Sequence, residues 1–292
     1  MDIDYYQQQA TETIQFDINE QKGKYITLMG LTGEVGELAT EYKKQLRDGE
    51  GYTVFKEKLV EELGDILWYL SAIAEHENLR LSEIATKNLN KTFDRWGSVS
   101  SHSLLIPFDD KLPIEQQLPR KFWVKFEDIV IENRNYISLS WNEGQFGDPL
   151  RDNSYDDDFY RFHDIFHLSY AVVLGWSPVV RKLTGRKRKG YSQMDEVEDG
   201  GRAIVIDEAI SSLVFEYARK HCFFEHSTGV DYPLLRTIKE LTKHLEVSER
   251  TGKDWEKAIL LGFEHWRNLK EHNGGIIQCD LDTRNMQFQP NK

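Results

Sequence analysis

Through the first hundred residues, apolar and polar side chains recur with the period of amphipathic helices. The pattern predicts four helices, over residues 3–18, 24–46, 54–77 and 81–96. Polar or glycine-containing segments separate them, and no run of β-branched or alternating residues indicates a strand before residue 100. We therefore expect an N-terminal all-α unit of four helices.

A different pattern begins after residue 120. Residues 122–131 and 136–141 are rich in aromatic and β-branched side chains and flank a polar segment, which predicts a β-hairpin. Helical periodicity returns over residues 159–174, 202–225, 234–245 and 253–271. From Gly274 onward the chain has no clear period. The predicted protein is mainly α, with a C-terminal, mostly helical α+β domain that contains a β-hairpin.

The chain has 292 residues, which favours two domains. Residues 98–120 are small and polar and then proline-containing, so we expect a linker there, between domains at 1–97 and 121–292.

The net charge of −12 gives no general attraction for nucleic acid or anionic membranes, so neither is an expected partner. The two cysteines, Cys222 and Cys279, fit a reducing compartment. The polar N-terminus has no signal-peptide core, and no apolar run reaches the roughly 18 residues of a membrane span. These features predict a cytoplasmic protein.

Two pairs of carboxylates stand out within the N-terminal unit. Glu34 and Glu37 lie three residues apart on one predicted helix, and Glu62 and Asp65 lie three apart on the next. Residues at this spacing share a helix face, and the glycine-containing segment 47–53 would turn the chain back. Four carboxylates would then meet, as a hard cation such as Mg²⁺ requires. The alternative is two solvated acidic faces.

Three sequence segments carry a family resemblance: GLTGEVGELATEYKK, KLVEELGDILWYLSAIA and NLNKTFDRW. The first 96 residues resemble the MazG-like all-α nucleoside triphosphate pyrophosphohydrolases. The family pattern is ExxE, then ExxD, then an Asn with a Lys three residues on, here Asn88 and Lys91. Some members begin the first motif with a further Glu, where this chain has Gly33. The second part resembles the C-terminal extension of some MazG-like proteins.

The resemblance implies Mg²⁺-dependent hydrolysis of an NTP or dNTP to the monophosphate and pyrophosphate, with Mn²⁺ as a substitute metal. It makes Glu34, Glu37, Glu62 and Asp65 the metal ligands. Either Glu34 or Glu61 would orient or deprotonate the attacking water. The alternative function is a nucleotide sensor whose C-terminal domain recruits a partner or is a separate metal-dependent hydrolase.

Substrate contacts are expected from the fourth helix and from aromatic residues. Lys91 is the candidate phosphate contact, with Asn88 and Arg95 beside it, although a solvated helix face would give the same spacing. Trp68 is a candidate for base recognition, with core packing as its alternative. Tyr6 and Phe16 are further aromatic candidates. A single four-helix unit offers too little surface to enclose a nucleotide. We therefore expect a homodimer or a higher homo-oligomer.

The C-terminal domain has its own candidate chemistry in the segment YRFHDIFHLSY. His163 and His167 are four residues apart on a predicted helix, with Asp164 beside them, and Glu208 on a later helix could complete a second divalent-metal site. The alternative is a pair of helix histidines bonded to buried carboxylates. The charged segment 181–201 predicts either a mobile surface loop or a clamp for a polyanion.

Overall fold

The computed structural model describes residues 1–18, 20–96, 106–142 and 144–291. Its contacts divide the chain into two compact units, Met1–Phe93 and Asp94–Lys292. Residues 98–105 of the predicted linker lie outside the described residues, whereas residues 106–120 pack within the second unit, where Leu118 is buried. The boundaries at 97 and 120 stay a prediction.

The first unit is all-α, as predicted, and its helices are α1 Ile3–Thr11, α2 Gln21–Asp48, α3 Phe55–His76 and α4 Leu81–Trp96. The prediction that the first helix reaches residue 18 is wrong. Thr13 ends the helical hydrogen bonding, because its backbone N–H and its hydroxyl both donate to the carbonyl of Ala10, at 3.0 and 2.6 Å. Such side-chain competition with the backbone is why Thr favours helix ends.

Helices α2 and α3 form an antiparallel pair, which is closed by a short 3₁₀ turn over Gly49–Gly51. Gly49 has a φ of +58°, a conformation that glycine adopts without strain. Beside the turn, Tyr52 donates a hydrogen bond to the buried carboxylate of Glu41, which also pairs with Lys44 at 2.6 Å. The chain reversal predicted over residues 47–53 is confirmed.

The second unit contains an antiparallel sheet whose described strands are β1 Lys121–Ile131, β2 Arg134–Trp141, β3 Gly144–Gln145, β4 Gly274–Asp280 and β5 Asn285–Gln289. They are arranged in the order β3-β2-β1-β4-β5. The predicted hairpin is confirmed as β1 and β2, joined by Glu132 and Asn133. Both residues have positive φ, 50° and 61°, as a type I′ turn requires.

The expectation of an aperiodic tail after Gly274 is wrong, because this segment forms β4 and β5. Strand β4 pairs with β1, in a register that sets Phe126 opposite Gly275. A β-carbon at Gly275 would lie 2.3 Å from the ring of Phe288, so the strand needs glycine where it passes this ring. Glycines at the start of a strand remove the alternation that would have revealed it.

The helices of the second unit are α5 Asp164–Leu174, α6 Pro178–Leu183, α7 Ser192–Val197, α8 Gly201–Arg219, α9 Tyr232–Thr242 and α10 Gly252–His272. Every residue of α5 is buried, and this helix packs along α10. Gly262 on α10 permits the close approach, because a β-carbon there would lie 2.9 Å from the Ser169 hydroxyl. The predicted helices at 202–225, 234–245 and 253–271 correspond to α8, α9 and α10, whereas the helix predicted from residue 159 begins at Asp164.

The charged segment 181–201 is not one continuous surface loop, because it contains the end of α6, all of α7 and a buried arginine. The side chain of Arg188 is fully buried and donates to Asp199 at 2.8 and 3.1 Å and to Glu246 at 2.8 Å. A buried guanidinium needs such partners, since an unpaired charge in the interior is costly. Arg188 therefore has a structural role in the folded protein and is not available to bind a polyanion.

Within residues 1–18, 20–96, 106–142 and 144–291, no helix combines the length and the apolar composition that a membrane crossing requires.

Candidate functional site

The pairing of α2 with α3 brings carboxylates from both helices to one place. One oxygen from each of Glu34, Glu62 and Asp65 lies within 4.8 Å of the others. Glu37 is not part of this group of three, but it is close enough for its charge to raise the pKa values of Glu34 and Glu62. Three carboxylates at this separation are a suitable oxygen donor set for a hard divalent cation.

The carboxylates of this cluster repel one another. Burial raises the pKa of Glu62, and the neighbouring charges of Glu37 and Glu34 raise it further. Burial also raises the pKa of Glu34, and here Asp65 and Glu37 add to the effect. Both shifts mean that the ionised cluster lacks sufficient compensating positive charge. A bound cation would supply that charge, so the electrostatics fit the donor chemistry.

The close approach of the two helices depends on Gly30. A β-carbon at Gly30 would lie 2.2 Å from Cζ of Tyr69 on α3. The three-residue spacing of Gly30, Gly33 and Gly36 predicts close approach of another helix or a ligand, which is confirmed at Gly30, but the sequence does not identify Tyr69 as the partner. By contrast, a β-carbon at Gly33 or Gly36 would meet nothing within 4 Å among the described residues. Gly30 therefore packs one turn from the carboxylates, and the other two glycines leave the helix surface open there.

Glu61 lies next to the cluster but has a different partner. Its Oε2 atom pairs with Nζ of Lys58 at 2.6 Å, and the residue is exposed. Glu34 is half-buried. The two candidates for the water-activating base therefore differ in environment: Glu34 lies in the carboxylate cluster, whereas Glu61 is exposed and paired with Lys58. The sequence alone does not show this difference.

The predicted phosphate contacts on α4 are not brought to the carboxylates by any described contact. Asn88 and Lys91 are exposed, and neither side chain makes a hydrogen bond or an ion pair within the described part of the chain. Arg95 lies over the ring of Tyr232, 5.2 Å from its centroid. The substrate roles of these three residues stay predictions.

The aromatic candidates are half-buried on α1, on α3 and in the segment after α1. The indole N–H of Trp68 donates to the hydroxyl of Thr13 at 2.7 Å, and its ring packs edge-on against Tyr69 at 4.9 Å. Burial and the charge of Asp65 raise the pKa of Tyr6, which places its ring near the carboxylates. Phe16 is half-buried. Trp68 therefore has a packing role in the first unit. Its contact with the base of a nucleotide stays a prediction.

In the second unit the predicted histidine cluster also assembles. Donor atoms of His163, Asp164 and His167 all lie within 4.8 Å of one another. Glu208 approaches both histidines. Asp207, which precedes Glu208 in the chain, is fully buried and lies 2.7 Å from Nδ1 of His167 through its Oδ1.

Comparisons with known proteins match the two parts of the chain to two different domain families. Residues 23–99 match the MazG nucleotide pyrophosphohydrolase domain family, and residues 103–292 match the MazG C-terminal domain family. The Gene 37 protein of Mycobacterium phage L5 is 37% identical over 101 residues, which are 32% of this chain and 89% of the phage protein. No solved structure matches the chain significantly.

Proposed function

The chain belongs to the MazG family, and we propose that it hydrolyses a nucleoside or deoxynucleoside triphosphate to the monophosphate and pyrophosphate in a Mg²⁺-dependent reaction. Family membership supports nucleotide pyrophosphohydrolase activity in general. The observation that carries the proposal is the convergence of Glu34, Glu62 and Asp65 within 4.8 Å on two paired helices.

The donor set fits the proposed metal. Glu34, Glu62 and Asp65, with Glu37 beside them, offer only carboxylate oxygens, the ligands that Mg²⁺ prefers, and Mn²⁺ accepts the same atoms. When bound, the ion would neutralise negative charge on the triphosphate oxygens and make the phosphorus under attack more electrophilic. The raised pKa values of Glu34 and Glu62 have the physical cause that such an ion would remove.

We assign the water-activating role to Glu34 in preference to Glu61. A general base must lie within reach of the attacking water, beside the metal and the triphosphate. Glu34 lies in the carboxylate cluster, where one of its oxygens is within 4.8 Å of oxygens of Glu62 and Asp65. Glu61 is exposed and already accepts a hydrogen bond from Lys58 at 2.6 Å. A water held beside Glu34 would lose its proton to that carboxylate as it attacks.

A second copy of the chain is proposed to complete the site. Several apolar side chains of α2 and α3 are exposed, an arrangement typical of surfaces that pack against a partner. The most exposed of those that flank the carboxylates are Met29, Val35, Val60 and Leu63, with 75%, 50%, 71% and 48% exposure. Burying these residues in a homodimer would enclose the carboxylate cluster. It would also bring side chains of the second copy close to the triphosphate.

The proposal is tested by product analysis with a panel of NTPs and dNTPs. Purified full-length chain with Mg²⁺ should release pyrophosphate and the matching monophosphate in equal amounts. Release of inorganic phosphate and a diphosphate would contradict the proposed bond cleavage. Tight nucleotide binding without any product would favour the nucleotide-sensing alternative. The same preparation in light scattering reports whether the chain is at least a dimer.

A further inference from the structure

The hydrogen bonds of two histidines in the second unit orient their rings, and for His163 they also fix which ring nitrogen carries the proton. Nδ1 of His163 lies 3.0 Å from the carbonyl oxygen of Tyr160, an atom that can only accept, so this nitrogen donates. Nδ1 of His167 lies 2.7 Å from Oδ1 of Asp207. The other oxygen of Asp207 accepts from the hydroxyl of Ser177 at 2.6 Å and from the backbone N–H of Val179 at 3.2 Å.

Oδ1 of Asp207 thus faces Nδ1 of His167, while its Oδ2 is occupied by Ser177 and Val179. In a neutral imidazole whose Nδ1 donates, the remaining nitrogen, Nε2, carries a lone pair. His163 is therefore held in the tautomer that offers Nε2 to a ligand, whereas Nε2 of His167 lies within hydrogen-bonding distance of Glu208, at 3.3 Å. A carboxylate behind a histidine is the usual support of a metal-binding imidazole, because it fixes the tautomer and orients the ring.

The two Nε2 atoms converge with carboxylate oxygens on one small space. Nε2 of His167 lies 3.3 Å from Oε2 of Glu208, and Nε2 of His163 lies 3.9 Å from the same oxygen. Nε2 of His163 is also 3.8 Å from Oδ1 of Asp164. Ligands bound tetrahedrally at about 2.0–2.2 Å lie about 3.3–3.6 Å apart. One of these three separations falls within that range, and the other two exceed it by a few tenths of an ångström. The donor atoms of His163, Asp164 and His167 lie within 4.8 Å of one another, so the groups would move together around an ion.

Hydrogen bonds among the described residues do not account for the position of His163 Nε2. The two contacts of His163 Nε2, at 3.8 and 3.9 Å, are too long for hydrogen bonds. The ring is nevertheless held in place, because Tyr160 stacks on it at 4.6 Å with an angle of 7° between the planes. A half-buried ring nitrogen thus lies near two carboxylates without a hydrogen bond to either. A cation between these groups would satisfy all of them.

We propose that His163, Asp164, His167 and Glu208 bind a divalent transition-metal ion of the Zn²⁺ class. Two imidazole nitrogens and two carboxylate oxygens suit Zn²⁺ and its neighbours better than Mg²⁺, which prefers oxygen alone. The site is thus chemically distinct from the oxygen-only cluster of the first unit. The metal ion would enter the site from the side of Glu208, because this side chain is 46% exposed whereas that of His167 is fully buried.

The test uses the full-length chain with Glu62→Gln, so that the carboxylate cluster of the first unit is impaired. After equilibrium dialysis against Zn²⁺ with excess Mg²⁺, this protein should retain about one Zn²⁺ per chain. Adding His163→Ala should remove the bound Zn²⁺, and adding Glu208→Gln should weaken binding roughly 10-fold or more. Adding His226→Ala, at an exposed histidine outside the cluster, is the matched control and should retain it.

If the His163→Ala protein does not fold, the Glu208→Gln protein still tests the proposal. The Glu208 side chain is partly exposed, so replacing its carboxylate with an amide should leave the core intact. Co²⁺ substitution gives an independent readout: the visible absorption of tetrahedral Co²⁺ should be present in the control and absent in His163→Ala. Equal Zn²⁺ retention by the His163→Ala, Glu208→Gln and His226→Ala proteins would overturn the proposal, as would the absence of retained Zn²⁺ in the protein with Glu62→Gln alone.

Discussion

The ring of Tyr69 on α3 lies against the backbone of Gly30 on α2, where a β-carbon would be only 2.2 Å from the ring. Each residue is four positions from a carboxylate of the cluster, since Glu34 follows Gly30 and Asp65 precedes Tyr69. Residues four apart lie on one helix face. The glycine–tyrosine contact therefore sets the spacing of the two helices where the carboxylates meet.

Replacing Gly30 with Ala should separate α2 from α3 at the cluster. A displacement of about 1 Å at reacting groups costs roughly 100-fold in rate, so we expect kcat to fall by about that factor. Gly33→Ala is the matched control, because a β-carbon there meets nothing within 4 Å. It should keep its activity and gain up to about 1 kcal/mol of stability. Equal losses of activity in both variants would contradict this role of Gly30.

Glu34→Gln and Glu61→Gln distinguish the two candidates for the base. Removing the charge of Glu34 should lower kcat by roughly 100-fold or more, in line with the loss of general-base catalysis. Glu61→Gln should stay within a few-fold of wild type, because its carboxylate is exposed and pairs with Lys58. Steady-state rates at saturating Mg²⁺ and nucleotide measure both effects. A larger loss in Glu61→Gln would reverse the assignment.

Glu62→Gln should stabilise the metal-free protein even as it impairs function. Burial and the charges of Glu37 and Glu34 raise the pKa of Glu62, so its ionised form opposes folding when no cation is bound. In EDTA the Tm of the N-terminal transition should rise by about 2 °C or more. Mg²⁺ should raise the Tm of wild type and have a smaller effect on the variant. A lower Tm of the variant in EDTA would contradict the inferred repulsion.

Asp109 should stabilise the second unit in a pH-dependent way. Burial raises its pKa, but Arg181, the backbone N–H of Leu118 and Arg120 outweigh that effect, so the net pKa is lowered. Arg181 donates to it at 2.6 Å. Asp109→Asn should cost about 3–5 kcal/mol in urea unfolding at pH 7, as the loss of one partner of a buried pair does.

A lowered pKa means that this stabilisation is present above the unfolded-state value of about 3.9 and is lost as the pH falls through the folded-state value. The difference between wild type and Asp109→Asn should therefore shrink below about pH 4. Asp110→Asn, at the exposed neighbouring residue, is the control and should change stability little at either pH. A difference that does not vary with pH would argue against an ionised Asp109.

The N-terminal helices and the carboxylate pairs could be predicted from sequence because period and spacing are local properties. The approach of Tyr69 to Gly30 could not, since it depends on the relative position of two helices. Strand β4 was missed because its glycines at 274 and 275 interrupt the alternation. The burial of Arg188 was missed because its partner Glu246 is distant in sequence, and a charge run is usually a solvated surface.

The central claim is that the carboxylates on α2 and α3 hold the metal and the triphosphate for hydrolysis. Its most direct test is the rate of pyrophosphate release by wild type and by the Glu37→Gln plus Glu62→Gln double variant, with Mg²⁺ and the NTP and dNTP panel. We predict release by wild type and a loss of at least roughly 100-fold in the variant. Wild-type rates in a folded double variant would contradict the account.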